Sequence, residues 1–159
     1  MGRLEGKVAI LTGGAEGIGM TYAHALAAEG ASVAIWDVVS SEKVVADIRA
    51  KGGKCIGMIC DVTDSRAVSQ NLEAVLGEFV VVHILVNNAA IFTMKSFSQT
   101  SFDEIGDMVD INLKGAMYVT KFALKNMEQG SRIFFINSVA GLEELENQSV
   151  YCASKHGLT

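Results

Sequence analysis

The sequence contains no proline, although the average usage of about 5 % would supply roughly eight. Nothing in the sequence gives a physical reason for this absence. Only three cysteines are present, Cys55, Cys60 and Cys152, and no two of them form a Cys-x-x-Cys pair. Their number and spacing argue against a disulfide framework and against a metal site. Cys152 beside Tyr151 is open to two interpretations, a reactive thiol or, as we favour, a small packing residue.

Charged residues are also scarce, at 19 %, and the net charge of −5 offers no positive surface to nucleic acid or to an anionic membrane. No apolar run approaches the roughly 20 residues needed to span a bilayer. The apolar stretch at 8–11 is too short for a secretory signal. We therefore expect a soluble, cytoplasmic protein whose partners include neither nucleic acid nor membrane.

Apolar residues are plentiful instead. Half of the 159 residues are hydrophobic and 16 are glycine, which suits one packed α/β domain. Apolar, β-prone runs predict five strands, at 7–11, 32–37, 54–60, 83–86 and 131–137. These runs are continuously apolar rather than alternating, which indicates a parallel sheet covered on both faces.

Helical segments separate the predicted strands. They are expected at 17–29, at 41–51, from after 64 to 77, at 100–127, and from 149 or 150 onward. The long helix should begin at a capping box formed by Thr100 and Asp103, and residues 138–147 should form a loop. Repeated strand–helix units with short links predict an α/β fold of the Rossmann type, a doubly wound parallel sheet.

A glycine-rich turn, Thr-Gly-Gly-Ala-Glu-Gly-Ile-Gly, joins the first strand to the first helix. Gly13 permits a tight turn, while Gly17 and Gly19 let the backbone approach a pyrophosphate and let the helix pack closely on the strand. The helix N-terminus offers free N–H groups to the phosphates. Asp37 ends the second strand, where a carboxylate accepts hydrogen bonds from the adenosine ribose and repels a 2′-phosphate. A solvated Asp at a strand end is the alternative.

Tyr151 and Lys155 are four residues apart in Tyr-Cys-Ala-Ser-Lys, so they face the same way if the segment is helical. A neighbouring ammonium stabilises a phenolate, which makes a phenol useful as an acid or base near neutral pH. The pair alone is a weak signal, because ordinary helix surfaces produce it often.

Together these features resemble the short-chain dehydrogenase/reductase family over almost the whole chain. The residues that carry the resemblance are Thr12, Gly13, Gly17 and Gly19 in the turn, Asp61 and Val62 after the third strand, Asn87, Asn88, Ala89 and Ala90 after the fourth, and Asn112, Ser138, Tyr151 and Lys155. Ala90 stands where the family has glycine, which is a mild departure.

The resemblance implies an oxidoreductase that moves a hydride between nicotinamide and a secondary alcohol or ketone. Tyr151 would be the general acid/base, and Lys155 would stabilise its phenolate and hold the nicotinamide ribose. Ser138 would hydrogen-bond the substrate oxygen; its alternative is a hydroxyl that stabilises the loop. Asn112 would hold a water that relays protons to Lys155; its alternative is a tolerated, exposed Asn.

The resemblance also implies which residues bind the cofactor. They are Gly13, Glu16, Gly17, Ile18, Gly19, Asp37, Asp61, Val62, Asn88, Ala89, Tyr151 and Lys155. Members that prefer NADP usually carry Lys or Arg before the middle glycine or after the second strand, where this chain has Glu16 and Val38. With Asp37, these residues predict NAD as the cofactor. Asn88 is expected to stabilise the sheet rather than to contact substrate.

Family members are longer than this chain, so we expect residues 1–159 to be a dinucleotide-binding domain that is incomplete at its C-terminus. The last strands of the family fold would be absent, and the strand at 131–137 would be an uncovered apolar edge. We therefore expect a homo-oligomer. Two functions stay open, the oxidoreductase and a non-catalytic NAD-binding module that oligomerises through this edge. The acidic loop at 141–149 either disfavours anionic substrates or is a solvated turn.

Overall fold

The computed structural model describes residues 2–159 and joins five strands into one parallel sheet. The strands are β1 (Val8–Thr12), β2 (Ser32–Asp37), β3 (Cys55–Ile59), β4 (Val82–Asn87) and β5 (Met127–Phe135). Their order across the sheet is β3-β2-β1-β4-β5. This order confirms the Rossmann-type, doubly wound fold expected from the sequence.

Helices connect the strands. They are α1 (Gly17–Ala28), α2 (Glu42–Ala50), α3 (Ser65–Phe79), α4 (Phe102–Val109), α5 (Ala116–Ala123) and α6 (Ser149–His156). These boundaries differ from the predicted ones by at most two residues, except within the long fourth helical segment. Within residues 2–159, each helix is too short or too polar to cross a bilayer.

Strand order reverses between β1 and β4, which pair in parallel with Ala9 opposite Ile84 and Leu11 opposite Val86. In sheets of this kind, ligands bind beyond the carboxyl ends of the strands at such a reversal. The turn after β1 and the segment after β4 therefore start side by side, and both carry residues predicted to bind a dinucleotide.

Alternate side chains of the central strands enter two separate apolar cores. Ile10 and Trp36 belong to the core that α3 and α5 cover, whereas Leu11 and Ile35 belong to the core that α1 and α2 cover. All four side chains are at most 1 % exposed. Because neighbouring residues serve opposite cores, a central strand needs an apolar residue at every position, which explains the continuous apolar runs.

The capping box of the fourth helical segment lies one residue later than predicted. The Ser101 hydroxyl accepts a hydrogen bond from the Glu104 N–H at 3.2 Å, and the Glu104 carboxylate accepts one from the Ser101 N–H at 2.8 Å. The prediction of Thr100 with Asp103 was wrong because Glu104 reaches back to the N-cap and Asp103 does not.

The long helix predicted at 100–127 is not one regular α-helix. A π-helical segment, Asp110–Gly115, separates α4 from α5, and a 3₁₀ turn, Leu124–Asn126, ends the run. Single π turns of this kind often occur at functional sites. Here the π segment carries Asn112, whose side chain is fully enclosed.

The last strand is longer than predicted, since β5 begins at Met127 rather than at 131. Met127 pairs with Val82, and the register shifts before Arg132 pairs with Ile84. Residues 128–130 are exposed because β5 is an edge strand in this chain. The predicted loop at 138–147 contains a 3₁₀ turn, Val139–Gly141.

Candidate active site

The glycine-rich turn leaves β1 in a conformation that side chains would prevent. Gly13 has a φ of 65°, and a Cβ there would lie 2.8 Å from the Cα of Ala89. A Cβ on Gly19 would overlap the carbonyl oxygen of Gly13. These two positions therefore hold α1 closely against the end of β1, as the sequence predicted.

Gly17 begins α1 with a φ of 53°, and the space where its Cβ would stand is open. The N–H groups of the first helical turn have no carbonyl partners within the helix and point out of its N-terminus. This end of α1 is a positively polarised, uncrowded surface, which suits a phosphate group.

Asn88 fastens the turn to the end of β4. Its side-chain nitrogen donates to the carbonyl oxygens of Thr12 and Gly13 at 3.0 and 2.8 Å. The N–H groups of Asn88 and Ala89 both donate to the Thr12 hydroxyl at 3.0 Å. These bonds agree with the expectation that Asn88 stabilises the sheet, and they fix the two neighbouring loops at the strand reversal.

Asp37 is fixed at the end of β2 by the backbone. One carboxylate oxygen accepts a hydrogen bond from the Ala15 N–H at 2.9 Å, and the other accepts one from the Val39 N–H at 3.2 Å. The alternative of a free, solvated Asp does not describe this side chain, because it also ties β2 to the glycine turn. Each oxygen keeps further lone pairs for ribose hydroxyls.

Residues after β3 line the cleft on the same side as Asp37. Asp61 accepts hydrogen bonds from the N–H and the hydroxyl of Thr63, both at 2.8 Å. Val62 is buried and leaves no room for a side chain on Gly115 of the π segment. Cys60, which the sequence did not place in the site, lines the cleft, and burial raises the pKa of its thiol to about 11. That thiol stays protonated near neutral pH.

One cleft of about 590 Å³ brings together all the residues predicted to bind a dinucleotide. It is lined by Gly13, Glu16, Gly17, Ile18, Gly19, Asp37, Asp61, Val62, Asn88, Ala89, Tyr151 and Lys155. Trp36 and Phe92 also line it and were not predicted. Trp36 was unrecognised because it looks like a core residue, and its burial agrees with that role.

Tyr151 and Lys155 lie on α6 and face the cleft together. The Lys155 ammonium is 5.7 Å from the centre of the Tyr151 ring. It donates a hydrogen bond to the Ile136 carbonyl oxygen at 2.7 Å, which anchors it beyond the end of β5. Burial lowers the pKa of Lys155 from its usual value, because desolvation disfavours the charged form.

Phe92 also packs against the Tyr151 ring. The two ring centroids are 4.8 Å apart and the planes meet at 71°, an edge-to-face arrangement. The sequence does show an aromatic residue two positions after Asn-Asn-Ala-Ala. It could not show that this residue contacts Tyr151, because that contact depends on the fold. The phenol ring thus has both an ammonium and an aromatic ring as neighbours.

Asn112 does not line the cleft; its side chain is buried and bonded to Ser154 on α6. It is 1 % exposed, so the alternative of an exposed, tolerated Asn is wrong. Its oxygen accepts from the Ile91 N–H at 2.8 Å, and its nitrogen donates to the Ile91 carbonyl at 2.9 Å and to the Ser154 hydroxyl at 3.1 Å. Ser154, which was not predicted, donates in turn to the Tyr151 carbonyl at 2.8 Å. This chain of bonds joins the segment after β4 to α6.

Ser138 also lies outside the cleft lining. Its hydroxyl accepts a hydrogen bond from the Ala140 N–H at 3.2 Å and so caps the 3₁₀ turn Val139–Gly141. This contact is the loop-stabilising arrangement that was the alternative for Ser138. The turn packs against α6, the helix that carries Tyr151.

A family model described as short chain dehydrogenase matches residues 7–159. The 15-hydroxyprostaglandin dehydrogenase (NAD+) of Rattus norvegicus is 35 % identical over 159 residues, which cover 98 % of this chain and 59 % of that protein. Galactitol 2-dehydrogenase of Agrobacterium fabrum is 39 % identical over 157 residues, which cover 96 % of this chain and 60 % of that protein. The chain spans about three fifths of the length of these curated relatives.

Solved structures give the same result. A short-chain dehydrogenase/reductase of Serratia marcescens superposes with a TM-score of 0.93 at 32 % identity, covering 98 % of this chain and 65 % of that one. A short chain dehydrogenase of Burkholderia cenocepacia in complex with NADP superposes with a TM-score of 0.92 at 34 % identity and the same coverage. The likeness therefore extends over nearly the whole chain.

Proposed function

The chain belongs to the short-chain dehydrogenase/reductase family, and from that membership we propose that it is an NAD-dependent oxidoreductase acting on secondary alcohols and their ketones. The observation that carries this proposal is the position of Tyr151 and Lys155 in the same cleft as the glycine turn. A proton-transfer pair and a phosphate-binding helix end in one cleft suit a redox reaction that moves a hydride and a proton together.

The residues present fit a dinucleotide. A Cβ at Gly13 or Gly19 would collide with neighbouring backbone, whereas Gly17 leaves the cleft side of the turn open. The pyrophosphate would meet the N-terminus of α1, the adenosine ribose would meet Asp37, and the nicotinamide ribose would meet Lys155. When bound, the nicotinamide supplies the hydride acceptor or donor.

Tyr151 would carry the proton in this reaction. In alcohol oxidation, its phenolate oxygen takes the hydroxyl proton while the hydrogen on the carbinol carbon leaves as a hydride, which yields the ketone and a neutral phenol. Lys155 would stabilise the phenolate by its charge. Ser138 would hydrogen-bond the substrate oxygen, and Asn112 would keep α6 in place while holding a water that relays protons to Lys155.

The choice of NAD rests on this chain's own residues. The rat relative is named for NAD+, whereas the Burkholderia structure holds NADP. Here the ribose end of the cleft carries Asp37, Glu16 and Val38. Two carboxylates and an aliphatic side chain offer no partner to a 2′-phosphate, and the fixed Asp37 carboxylate would repel it.

Partners and location are part of the same proposal. The substrate would be a small-molecule alcohol or ketone, and the protein would act in the cytoplasm. The protein would also form a homo-oligomer; on β5, the outermost strand described, Phe134 and Phe135 are 50 % and 38 % exposed. Light scattering after size-exclusion chromatography gives the subunit number directly.

The chain contains a single tryptophan, Trp36, at the wall of the cleft, which makes binding easy to measure. Bound NADH or NADPH should quench the fluorescence of Trp36 by energy transfer. The quenching should saturate at a lower concentration of NADH than of NADPH. A panel of secondary alcohols with NAD should then produce NADH, and Tyr151→Phe should lose turnover while it still binds NADH. Tighter NADPH binding would refute the cofactor assignment. Binding of NADH without turnover of any alcohol would favour the non-catalytic module.

A further inference from the structure

Phe92 is an exposed aromatic side chain at the reacting end of the cleft. It is 51 % exposed, although one side of its ring packs edge-to-face against Tyr151. Both residues line the cleft. Phe92 therefore offers an apolar surface beside Tyr151 that an apolar group bound in the cleft would cover.

Charge is distributed unequally along the cleft. Within residues 2–159, the lining carboxylates, Glu16, Asp37 and Asp61, all lie at the end formed by the turns after β1, β2 and β3. At the other end, near α6, Lys155 is the one charged lining residue, and its ammonium is engaged by the Ile136 carbonyl. The other lining residues at this end are the apolar Ile91, Phe92, Ile111 and Ile136 and one uncharged polar residue, Asn137.

The neighbours of Phe92 extend this apolar surface. Ile91 lines the cleft and is 38 % exposed, and Met94 on the same segment is 62 % exposed. The segment is held in place at its far end, where the Lys95 N–H donates to the Asn147 carbonyl oxygen at 2.9 Å. It therefore presents a fixed apolar wall rather than a free loop.

We propose that Phe92 is a specificity-determining residue, the apolar wall of an alcohol subsite that takes neutral, carbon-rich secondary alcohols in preference to polyols and hydroxy acids. The proposal rests on the proposed function, since the alcohol must lie against Tyr151. A hydrocarbon ring or chain covers Phe92 and gains from leaving water. A polyol would bury hydroxyl groups against Phe92 without partners, and a carboxylate would also lose its hydration there.

The test measures alcohol binding in a complex that cannot react. NADH and an alcohol are both reduced, so no hydride moves between them. Saturation-transfer NMR on the chain with NADH would compare cyclopentanol, galactitol and lactate. Wild type should bind cyclopentanol most tightly. Phe92→Ser should weaken cyclopentanol binding about tenfold or more, while Phe92→Leu, which keeps an apolar wall, should stay within about threefold of wild type.

Phe102→Ser is the matched control, because Phe102 is 92 % exposed and does not line the cleft. It should leave both NADH and cyclopentanol binding unchanged, and the Phe92 variants should still bind NADH. The inference is overturned if Phe92→Ser keeps wild-type affinity for cyclopentanol, if galactitol or lactate binds wild type more tightly, or if the NADH complex binds no alcohol. Failure to bind NADH would instead overturn the proposed function, and the inference with it.

Discussion

The Lys155 ammonium lies 5.7 Å from the centre of the Tyr151 ring and donates at 2.7 Å to the Ile136 carbonyl oxygen. The distance lies within the range at which a cation and an aromatic face attract each other. An ammonium has three N–H donors, so the bond to Ile136 fixes its position and leaves donors for other groups. The residue is 4 % exposed, which makes its charge strongly felt by whatever shares the cleft.

Lys155→Met should abolish most turnover while the fold persists. The substitution removes the charge that, in the proposed mechanism, stabilises the Tyr151 phenolate, and it keeps an apolar side chain of similar length. We expect kcat to fall about a hundredfold or more. Steady-state production of NADH measures the effect, and Lys121→Met, on the exposed face of α5, is the control. Equal loss in the two variants would show that position 155 has no special part in the chemistry.

Asp37→Asn should move cofactor preference towards NADPH. The amide oxygen still accepts one backbone hydrogen bond, but the charge that repels a 2′-phosphate is gone. The ratio of NADPH to NADH affinity should rise about tenfold, which corresponds to about 1.4 kcal/mol. Trp36 quenching measures both affinities. Asp47→Asn, exposed on α2, should leave the ratio unchanged; a shift of the same size there would point to net charge as the cause.

Two glycine-to-alanine substitutions should change stability in opposite directions. Gly19→Ala places a Cβ on the Gly13 carbonyl oxygen, so it should cost about 2 kcal/mol or more and weaken NADH binding. Gly77→Ala lies in α3, where a Cβ meets nothing within 4 Å, and should stabilise the protein by about 0.5–1 kcal/mol. Urea unfolding gives both values. A stable Gly19→Ala variant would show that α1 can move away from the turn at little cost.

Asn112 and Ser154 should be coupled energetically. Asn112→Ala leaves the N–H and the carbonyl of Ile91 without partners inside the protein and should cost about 2–3 kcal/mol. Ser154→Ala should cost about 1 kcal/mol. The double variant should cost less than the two costs added together, because both single changes remove the bond at 3.1 Å between the two side chains. Urea unfolding of all four proteins measures this, with the exposed Ser98→Ala as control. Strict additivity would contradict the hydrogen bond.

Glu104 should make stability depend on pH in acid. The Lys95 ammonium donates hydrogen bonds to both carboxylate oxygens of Glu104, at 2.6 and 2.8 Å. Together with the hydrogen bond from the Ser101 N–H, these bonds lower the pKa of Glu104 from 4.5 to about 2. The unfolded chain therefore binds a proton first as pH falls, so this contribution is complete above pH 4.5 and is lost as pH falls towards 2. Glu104→Gln should flatten the urea midpoint over that range. The Lys95 and Glu104 side chains are about one-third exposed, so added salt should reduce the difference in urea midpoint between wild type and Glu104→Gln. The same pH dependence of the urea midpoint in both proteins would contradict this contribution of Glu104.

The parallel sheet and the glycine turn were predictable because they depend on local residues. Continuous apolar runs mark strands that serve two cores, and Gly13 and Gly19 stand where any side chain would collide. Tyr151 and Lys155 face the same way through helical spacing alone. The exposed residues 128–130 gave no strand signal, because an edge strand needs little burial and pairs with β4 across a register shift.

What escaped prediction depends on contacts between distant segments. The π segment Asp110–Gly115 has no signature in its residue types, and the burial of Asn112 follows from its bonds to Ile91 and Ser154. Likewise, the sequence shows Phe92 only as an aromatic residue in a loop, because its contact with Tyr151 depends on where the fold places α6. Spacing along the chain shows which residues share a helix face, but not which loop packs against them.

The two ends of the cleft are built from different parts of the chain. Asp37 stands on β2, while Phe92 follows β4, and no hydrogen bond links these two side chains in residues 2–159. We therefore expect substitutions that change the nucleotide preference to leave the alcohol preference unchanged, and the reverse. Directed evolution of this protein can vary nucleotide preference and alcohol preference in separate libraries and then combine the best variants from each.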